Sequence, residues 1–215
     1  MTKKKKSDKK RRSPCPANCT KIKLKMDCSS HPPGLPFPDR QRPNGWPVST
    51  KARCGRMDTR QMRDEFSIAY KDKDIPSDIR NWAQTRYGIS ANRGKELIDS
   101  MIEGGLNPEM HHKLPVMLNG TDTADNFIPI PRDDHQKSSG GVHQWWDTKL
   151  RELERSLEGR LGRCDKKSKN KKERELHNCA RTKRGFMRKT CESQLTKISG
   201  CLKNQGIDLY VDCGI

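Results

Sequence analysis

The stretch that most constrains the fold lies mid-chain, where two short apolar segments flank a turn. "EMHHKLPVML" is too short and too closely bounded by proline for a helix, and it predicts a β-strand. "NGTDTAD" opens with the favoured turn pair Asn-Gly, and "NFIPIP" predicts a second strand. Because Pro129 and Pro131 lie two apart, their missing N–H groups fall on one edge, which a two-stranded ribbon leaves unpaired. The segment therefore predicts a β-hairpin.

The sequence before the hairpin has helical character in three places. "TRQMRDEFSIAY" begins the pattern, and "PSDIRNWAQTRYG" follows, with Ser77 as the predicted N-cap and Gly88 as the predicted end. "SANRGKELIDSMIEGG" predicts a third helix that ends at a glycine pair. Its apolar stripe is formed by Leu97, Ile98, Met101 and Ile102.

A longer helix is predicted after the hairpin. "VHQWWDTKLRELERSLEGRL" places leucines at helical spacing, at Leu150, Leu153, Leu157 and Leu161. The chain is therefore expected to be α+β and mainly helical, with one hairpin.

The composition limits the size of the core. Only 30% of the residues are hydrophobic and 33% are charged, which predicts one modest domain with long tails. We expect residues 1–60 to be a basic, Pro- and Gly-rich tail or linker that is largely disordered. Residues 61–162 would form the domain, and residues 163–215 a basic, cysteine-containing helical extension.

The charge of the chain favours a polyanionic partner. Lys and Arg number 45 against 27 Asp and Glu, a formal net charge of +18, and nucleic acid is the first candidate. The runs "KKKK" and "KKSKNKK" either bind phosphate backbones without sequence preference or stay solvated. No apolar run is long enough for a membrane span and no standard secretory signal is visible, so an exported form would need another route.

The nine cysteines leave their redox state open. Their density is typical of disulfides in small secreted folds, but no CxxC pair occurs and the spacing matches no zinc pattern. Disulfides in the C-terminal region are slightly favoured over free thiols.

The paired histidines of "EMHHKLP" are candidates for metal binding and general base catalysis, since neutral imidazole offers a lone pair near neutral pH. Neighbours on a strand point to opposite faces, so His111 and His112 cannot both be metal ligands without distortion. One is expected to bind a metal and the other to face the substrate. His135 and His143 follow closely enough to converge on the same ion. A metal-dependent phosphodiesterase needs this division between a cation and a base.

These residues resemble a known family. "EMHHKLP" followed by "DNFIPIPRDDH" is similar to the HNH (ββα-metal) endonucleases, most closely to the DNase domains of colicins, S-type pyocins and related bacterial polymorphic toxins. The resemblance covers roughly Glu109 to Asp147, and it implies a ββα-metal core over residues 108–160.

Site roles follow from the resemblance, residue by residue. It implies that His111 is a metal ligand, His112 the general base that activates water, and His135 a second metal ligand. Asn126 would brace the loop between the strands and hold the base imidazole through backbone contacts. Glu109 would organise an arginine for phosphate or sugar contact, and the sequence does not identify that arginine.

The sequence departs from the family at one position. Colicin-type sites have a further histidine one helical turn after the residue matched by His135, but Ser139 stands there. Either a Gly-rich insertion delivers His143 to the metal, which we favour, or two histidines hold the ion together with water and phosphate.

The resemblance implies a metal-dependent endonuclease that hydrolyses DNA with little sequence specificity, as a bacterial toxin or effector domain. The cofactor would be a divalent ion such as Mg²⁺, Ni²⁺ or Zn²⁺, RNA remains possible as substrate, and an acidic immunity protein is an expected partner. A secreted effector would act in the cytoplasm of its target cell. Two alternatives stay open: a non-catalytic nucleic-acid-binding protein with a structural zinc, and a housekeeping or phage nuclease of the same family.

Overall fold

The computed structural model of the protein describes residues 15–28, 34–36, 45–50, 57–136, 141–181 and 194–214. This part of the chain is mixed α+β and mainly helical, as the sequence predicts. Its helices are α1 (Thr59–Ala69), α2 (Ser77–Tyr87), α3 (Gly94–Glu103), α4 (Arg132–Gln136), α5 (Val142–Leu161), α6 (Lys171–Ala180) and α7 (Gln194–Asn204). Its strands are β1 (Lys21–Asp27), β2 (Trp46–Pro47), β3 (Pro108–His112), β4 (Phe127–Pro131) and β5 (Asp208–Gly214). No helix of the described ranges is long and apolar enough to cross a membrane.

Helices α1 to α3 form where the sequence predicts them, with two differences in detail. Pro76, not Ser77, is the N-cap of α2, so Ser77 is the first helical residue. Gly88 ends that helix in the left-handed conformation, with a φ of 69°. Ile102 is 49% exposed, so the buried stripe of α3 contains only the other three predicted residues.

The start of α3 packs closely against α1. A Cβ at Gly94 would lie 2.8 Å from the carbonyl oxygen of Phe66, so only glycine fits at this approach. Phe66 is fully buried and lies beside Tyr70, with the two ring centroids 4.9 Å apart. This packing supports one side of the hairpin, since α1 also contacts β3 and β4.

The predicted hairpin is present as the antiparallel pair β3–β4. The Lys113 N–H donates to the Asn126 carbonyl at 2.8 Å, so these two residues are a hydrogen-bonded pair. This pair determines which residue pairs along the two strands are hydrogen-bonded. Because such pairs alternate with non-bonded ones, Pro129, opposite Met110, and Pro131 both occupy non-hydrogen-bonded positions. Their nitrogens face away from β3, and the prolines cost the ladder no hydrogen bond.

The first strand is shorter than its apolar pattern predicts. β3 ends at His112, and residues 116–118 form a 3₁₀ turn instead of continuing the strand. Asn119 follows with a φ of 60°, in the left-handed region that asparagine tolerates. The connection between the strands is therefore a folded loop.

Helix α5 follows the leucine spacing over its full length. All four predicted leucines are buried, and the helix runs for 20 residues without interruption. It packs against β1, α6 and α7. Its first turn carries His143, so its packing also sets the position of one candidate ligand.

The prediction that residues 1–60 are largely disordered is wrong for residues 21–27 and 46–47. These form β1 and β2, which pair with β5 in a three-stranded sheet of order β1-β5-β2. β1 buries every second residue, Ile22, Leu24 and Met26, and exposes the lysines between them. β1 runs parallel to β5, so residues 163–215 are not a separate extension either: their last strand completes a sheet with the N-terminal region.

Three disulfides link described residues of the chain, and two of them start in the N-terminal region. Cys15 pairs with Cys164 and Cys28 with Cys213, while Cys179–Cys201 links α6 to α7. The C-terminal region is thus disulfide-bonded, as favoured, but two of these bonds reach back to the N-terminal segment. Cys19 is an exposed free thiol. Cys54 and Cys191 lie outside the described residues.

Removing the Cys28–Cys213 disulfide is expected to lower the free energy of unfolding by about 2–5 kcal/mol, because the bond closes a long loop in the unfolded chain. A Cys28→Ala/Cys213→Ala variant would be compared with the wild type by chemical denaturation under oxidising conditions. Cys19→Ala is the control and should change stability little. An equal effect of both variants would contradict a structural role for the terminal disulfide.

Candidate metal centre

Three histidine rings converge beside the hairpin. His111 lies on β3, His135 on α4 and His143 in the first turn of α5. His135 Nε2 lies 3.2 Å from His111 Nδ1 and 2.8 Å from His143 Nε2. His111 and His135 are buried and His143 is exposed. One ring nitrogen from each residue therefore points at a common point next to solvent.

Chain connectivity explains this convergence. His111 pairs with Ile128 across the hairpin, and α4 begins directly after β4 ends. The five-residue helix α4 turns His135 back towards β3. Helix α4 is held by a 2.5 Å hydrogen bond from the Tyr87 hydroxyl to Asp134. Burial and the Asp134 carboxylate raise the pKa of Tyr87. Asp134 thus remains bonded to a protonated phenol at neutral pH.

The three nitrogens fit a divalent metal ion. In a tetrahedral site with metal–nitrogen bonds of about 2.0 to 2.1 Å, two ligand nitrogens lie about 3.3 Å apart. The distance of 3.2 Å between His135 and His111 is close to this value, the 2.8 Å between His135 and His143 is shorter, and all three ligand atoms lie within 4.8 Å of one another. Three protein ligands leave a fourth position for water or substrate, a pattern typical of catalytic metal sites. Of the two arrangements left open by the sequence, the structure favours the one that includes His143.

The electrostatic setting keeps a lone pair available on His143. Desolvation is the largest cause that lowers its pKa, and the neighbouring His135 lowers it further. Asp147 and Glu109 act in the opposite direction. The net effect favours the neutral imidazole, which is the form that binds a metal.

Glu109 contacts both the metal cluster and an arginine. One carboxylate oxygen lies 2.6 Å from His135 Nδ1, so that nitrogen carries the proton and Nε2 keeps its lone pair for a metal. The other oxygen lies 3.4 Å from Nε of Arg132, whose side chain is 61% exposed. Arg132 is therefore the arginine that contacts Glu109 in the structure. The two residues face each other because Glu109 is in β3 and Arg132 directly follows β4.

His112 lies apart from this cluster, as the alternation of a strand requires. Its Nε2 is 2.8 Å from Oδ1 of Asp122, and its ring packs edge-to-face against Phe127, with centroids 5.2 Å apart. Because a carboxylate accepts, the Nε2 proton is held by Asp122, and Nδ1 is the nitrogen left with a lone pair. Sequence reasoning missed Asp122. The available signal was an acid in the inter-strand loop, within reach of the last residue of β3.

Asn126 braces the loop between the strands, the contact expected of it. Its amide oxygen accepts from the Leu114 N–H at 2.8 Å, and its amide nitrogen donates to the carbonyls of Leu114 and Thr121, both at 3.0 Å. Its own carbonyl accepts from Lys113, the residue after His112. The His112 ring itself is bonded to Asp122, so Asn126 acts on the backbone beside it.

Comparison with protein-family models, curated proteins and solved structures finds no match.

Replacing Glu109 with glutamine is expected to weaken zinc binding about 10- to 100-fold, because the amide no longer holds the Nδ1 proton of His135 as a carboxylate does. Zinc affinity would be measured by competition with a chromophoric chelator. Glu103→Gln, which removes the same charge from the exposed end of α3, is the control. His135→Ala should lose the site altogether. Wild-type affinity in Glu109→Gln would contradict the orienting role.

Replacing Asn126 with alanine is expected to lower the free energy of unfolding by about 2–4 kcal/mol, because buried backbone groups of the loop lose their partners. Thermal and chemical denaturation would measure the change. Asn178→Ala, at an exposed position of α6, serves as the control. If both variants were equally stable, the loop would not depend on the Asn126 amide.

Proposed function

We propose that the chain is a metal-dependent endonuclease of the HNH type that hydrolyses phosphodiester bonds in DNA. The observation that carries this proposal is the pairing of a three-histidine cluster on one face of β3 with an acid-bonded histidine on the next residue. A structural zinc site requires the cluster but has no use for the second histidine. Hydrolysis of a phosphodiester uses both, together with a cation that contacts the phosphate.

The cluster of His111, His135 and His143 would hold a divalent ion such as Zn²⁺, Ni²⁺ or Mg²⁺. That ion would neutralise negative charge on the phosphate and on the leaving oxygen. Nitrogen ligands suit zinc and nickel better than magnesium, which prefers oxygen. We therefore place zinc and nickel ahead of magnesium.

His112 is the general base in this reaction. Its Nδ1 takes a proton from water as the water oxygen bonds to phosphorus, and the bond from phosphorus to the 3′ oxygen breaks. The 3′ oxygen then takes a proton from solvent, which leaves a 5′-phosphate and a 3′-hydroxyl. Asp122 fixes the ring and stabilises the imidazolium that forms.

Arg132 is the phosphate-binding residue of the proposed site. Its guanidinium is largely exposed, and its ion pair with Glu109 connects it to the residue that also orients His135. A guanidinium matches the geometry of a phosphate with two donors. The same carboxylate thus positions one group for the metal and one for the substrate.

The biological role follows from the activity. A nuclease without sequence preference is harmful to the cell that makes it, so we propose a toxin or effector that is kept inactive by an acidic immunity protein. DNA is the preferred substrate in this proposal, and the assay below includes RNA.

The decisive experiment is plasmid nicking by the purified protein with EDTA, Mg²⁺, Ni²⁺ or Zn²⁺. We expect metal-dependent nicking that falls about 10²- to 10⁴-fold in His112→Ala, since a positioned general base contributes about that factor. The variant should keep wild-type zinc affinity, because His112 is not a ligand. A labelled RNA of the same length is tested in parallel.

Two outcomes would overturn the proposal. Absence of cleavage with every metal, while nucleic acid still binds, would leave a basic binding protein with a structural zinc. Full nicking by His112→Ala, with normal zinc affinity, would remove His112 from the reaction.

A further inference from the structure

The net positive charge of the chain lies outside residues 57–136, the part that contains His111 and His135 of the histidine cluster. Residues 57–136 contain ten Lys and Arg against fourteen Asp and Glu, a net charge of −4. Because the whole chain has a net charge of +18, the rest of the chain carries +22. Five of the ten cations of this part form ion pairs with acids, among them Arg132 with Glu109. Arg80 and Arg93 contact Asp74, Lys95 contacts Asp99, and Arg86 contacts Asp134. The net charge of this part therefore does not favour a polyanion.

The segment that joins α5 to α6, together with the first two residues of α6, is instead rich in lysine. Residues 166–172, which we name the lysine loop, contain five lysines and no acid. Lys171 forms an ion pair with Glu175 at 3.8 Å. The other four are Lys166, Lys167, Lys169 and Lys172, and none of them has an ion-pair partner within the ranges that the structure describes.

The backbone of the lysine loop is held in place by several contacts. The guanidinium of Arg174 donates to the carbonyl of Ser168 at 2.5 Å and to that of Lys169 at 3.0 Å. The N–H of Lys167 donates to Asp165 at 2.8 Å. Cys164, just before the loop, is fixed by its disulfide.

These backbone contacts lower the entropy cost of binding a ligand at the lysine loop. A solvated lysine run in a flexible tail loses conformational entropy when it meets a ligand, whereas a fixed loop has already lost most of its backbone freedom. The four lysine side chains thus extend from a backbone that these contacts hold in place.

We propose that the lysine loop is a contact surface for the phosphate backbone of nucleic acid, an inference that rests on the proposed nuclease function. Nucleic acid is favoured over an anionic membrane because membrane-surface binding also uses apolar side chains. The large exposed apolar side chains among the described residues are Ile68 and Ile102, on α1 and α3.

The lysine loop lies far from the reacting phosphate. From His143 to the end of α5 is about 27 Å, at about 1.5 Å per helical residue. A duplex rises about 3.4 Å per base pair, so the loop would reach phosphates about eight base pairs from the site of cleavage on a duplex that lies along α5. It therefore contributes to binding and not to the chemical step.

The test compares two variants that lose the same charge. The loop variant is Lys166→Gln/Lys167→Gln/Lys169→Gln/Lys172→Gln. The control variant replaces four exposed cations of residues 57–136 with glutamine, namely Arg60, Lys71, Lys73 and Lys95. Binding to a labelled duplex of about 20 base pairs is measured with EDTA present over a range of salt concentrations. The slope of log K against log salt counts the phosphates contacted, at about 0.9 per contact in duplex DNA.

The loop variant is expected to reduce this slope by about 3 to 4 and to weaken binding at least 10-fold at moderate salt. The control variant should change the slope by less than 1. In cleavage assays the loop variant should raise KM and leave kcat unchanged. These results together would support the proposal.

Three outcomes would overturn it. Equal loss in both variants would show that only net charge matters, and an unchanged slope in the loop variant would show that the lysines stay solvated. Loss of binding to phosphatidylserine vesicles, with DNA binding intact, would assign the loop to a membrane. Metal-dependent nicking by the wild type separates the two proposals: if it persists while the loop prediction fails, the nuclease stands without the lysine loop.

Discussion

The alignment of β3 with β4 is the constraint on which the rest of the site depends. A shift of one residue would exchange the faces of His111 and His112. His111 would then leave the cluster, and His112 would lose Asp122. The hydrogen bond from Lys113 to Asn126 closes the ladder at its loop end, and the Asn126 amide holds the loop beyond it. The two prolines of β4 also disfavour such a shift, because it would turn their nitrogens towards β3, where N–H donors are needed.

The hairpin also determines how the groups around His135 are oriented. Glu109 holds Nδ1 of His135, and Tyr87 anchors the short helix that carries that histidine. Helix α4 has only five residues, too few to be stable alone, so its position depends on these contacts and on the strand before it. The geometry of the cluster therefore comes from tertiary packing and not from local helix propensity.

The elements that sequence alone could predict are those with a local signal. The leucines of α5 repeat at helical spacing, and the hairpin is bounded by its own turn residues. The histidines were recognisable because strand alternation divides a pair between two faces. Arg132 and Asp122 could not be assigned, because the contact of Arg132 depends on the register of the strands and that of Asp122 on the folded loop.

The three-stranded sheet of β1, β5 and β2 could not be predicted from the sequence for a different reason. The alternating "KIKLKMD" is a strand signal, but its neighbours are rich in lysine and proline, and its partner strand lies at the other end of the chain. A parallel pair between the two ends leaves no local turn from which to infer it. The same holds for Cys28–Cys213, because spacing does not determine disulfide pairing. Long-range closure of this kind became visible only in the folded chain.

The distribution of charge gives the proposed reaction an order. An acidic surrounding attracts a divalent cation to the histidines and repels a phosphate backbone while that cation is absent. Bound metal would add two positive charges at the point where the substrate must approach, so metal binding would favour the substrate locally. In the proposed function, most of the affinity for nucleic acid would come from outside residues 57–136. That separation would let the lysine-rich segments hold a substrate of any sequence while the acidic hairpin selects the metal.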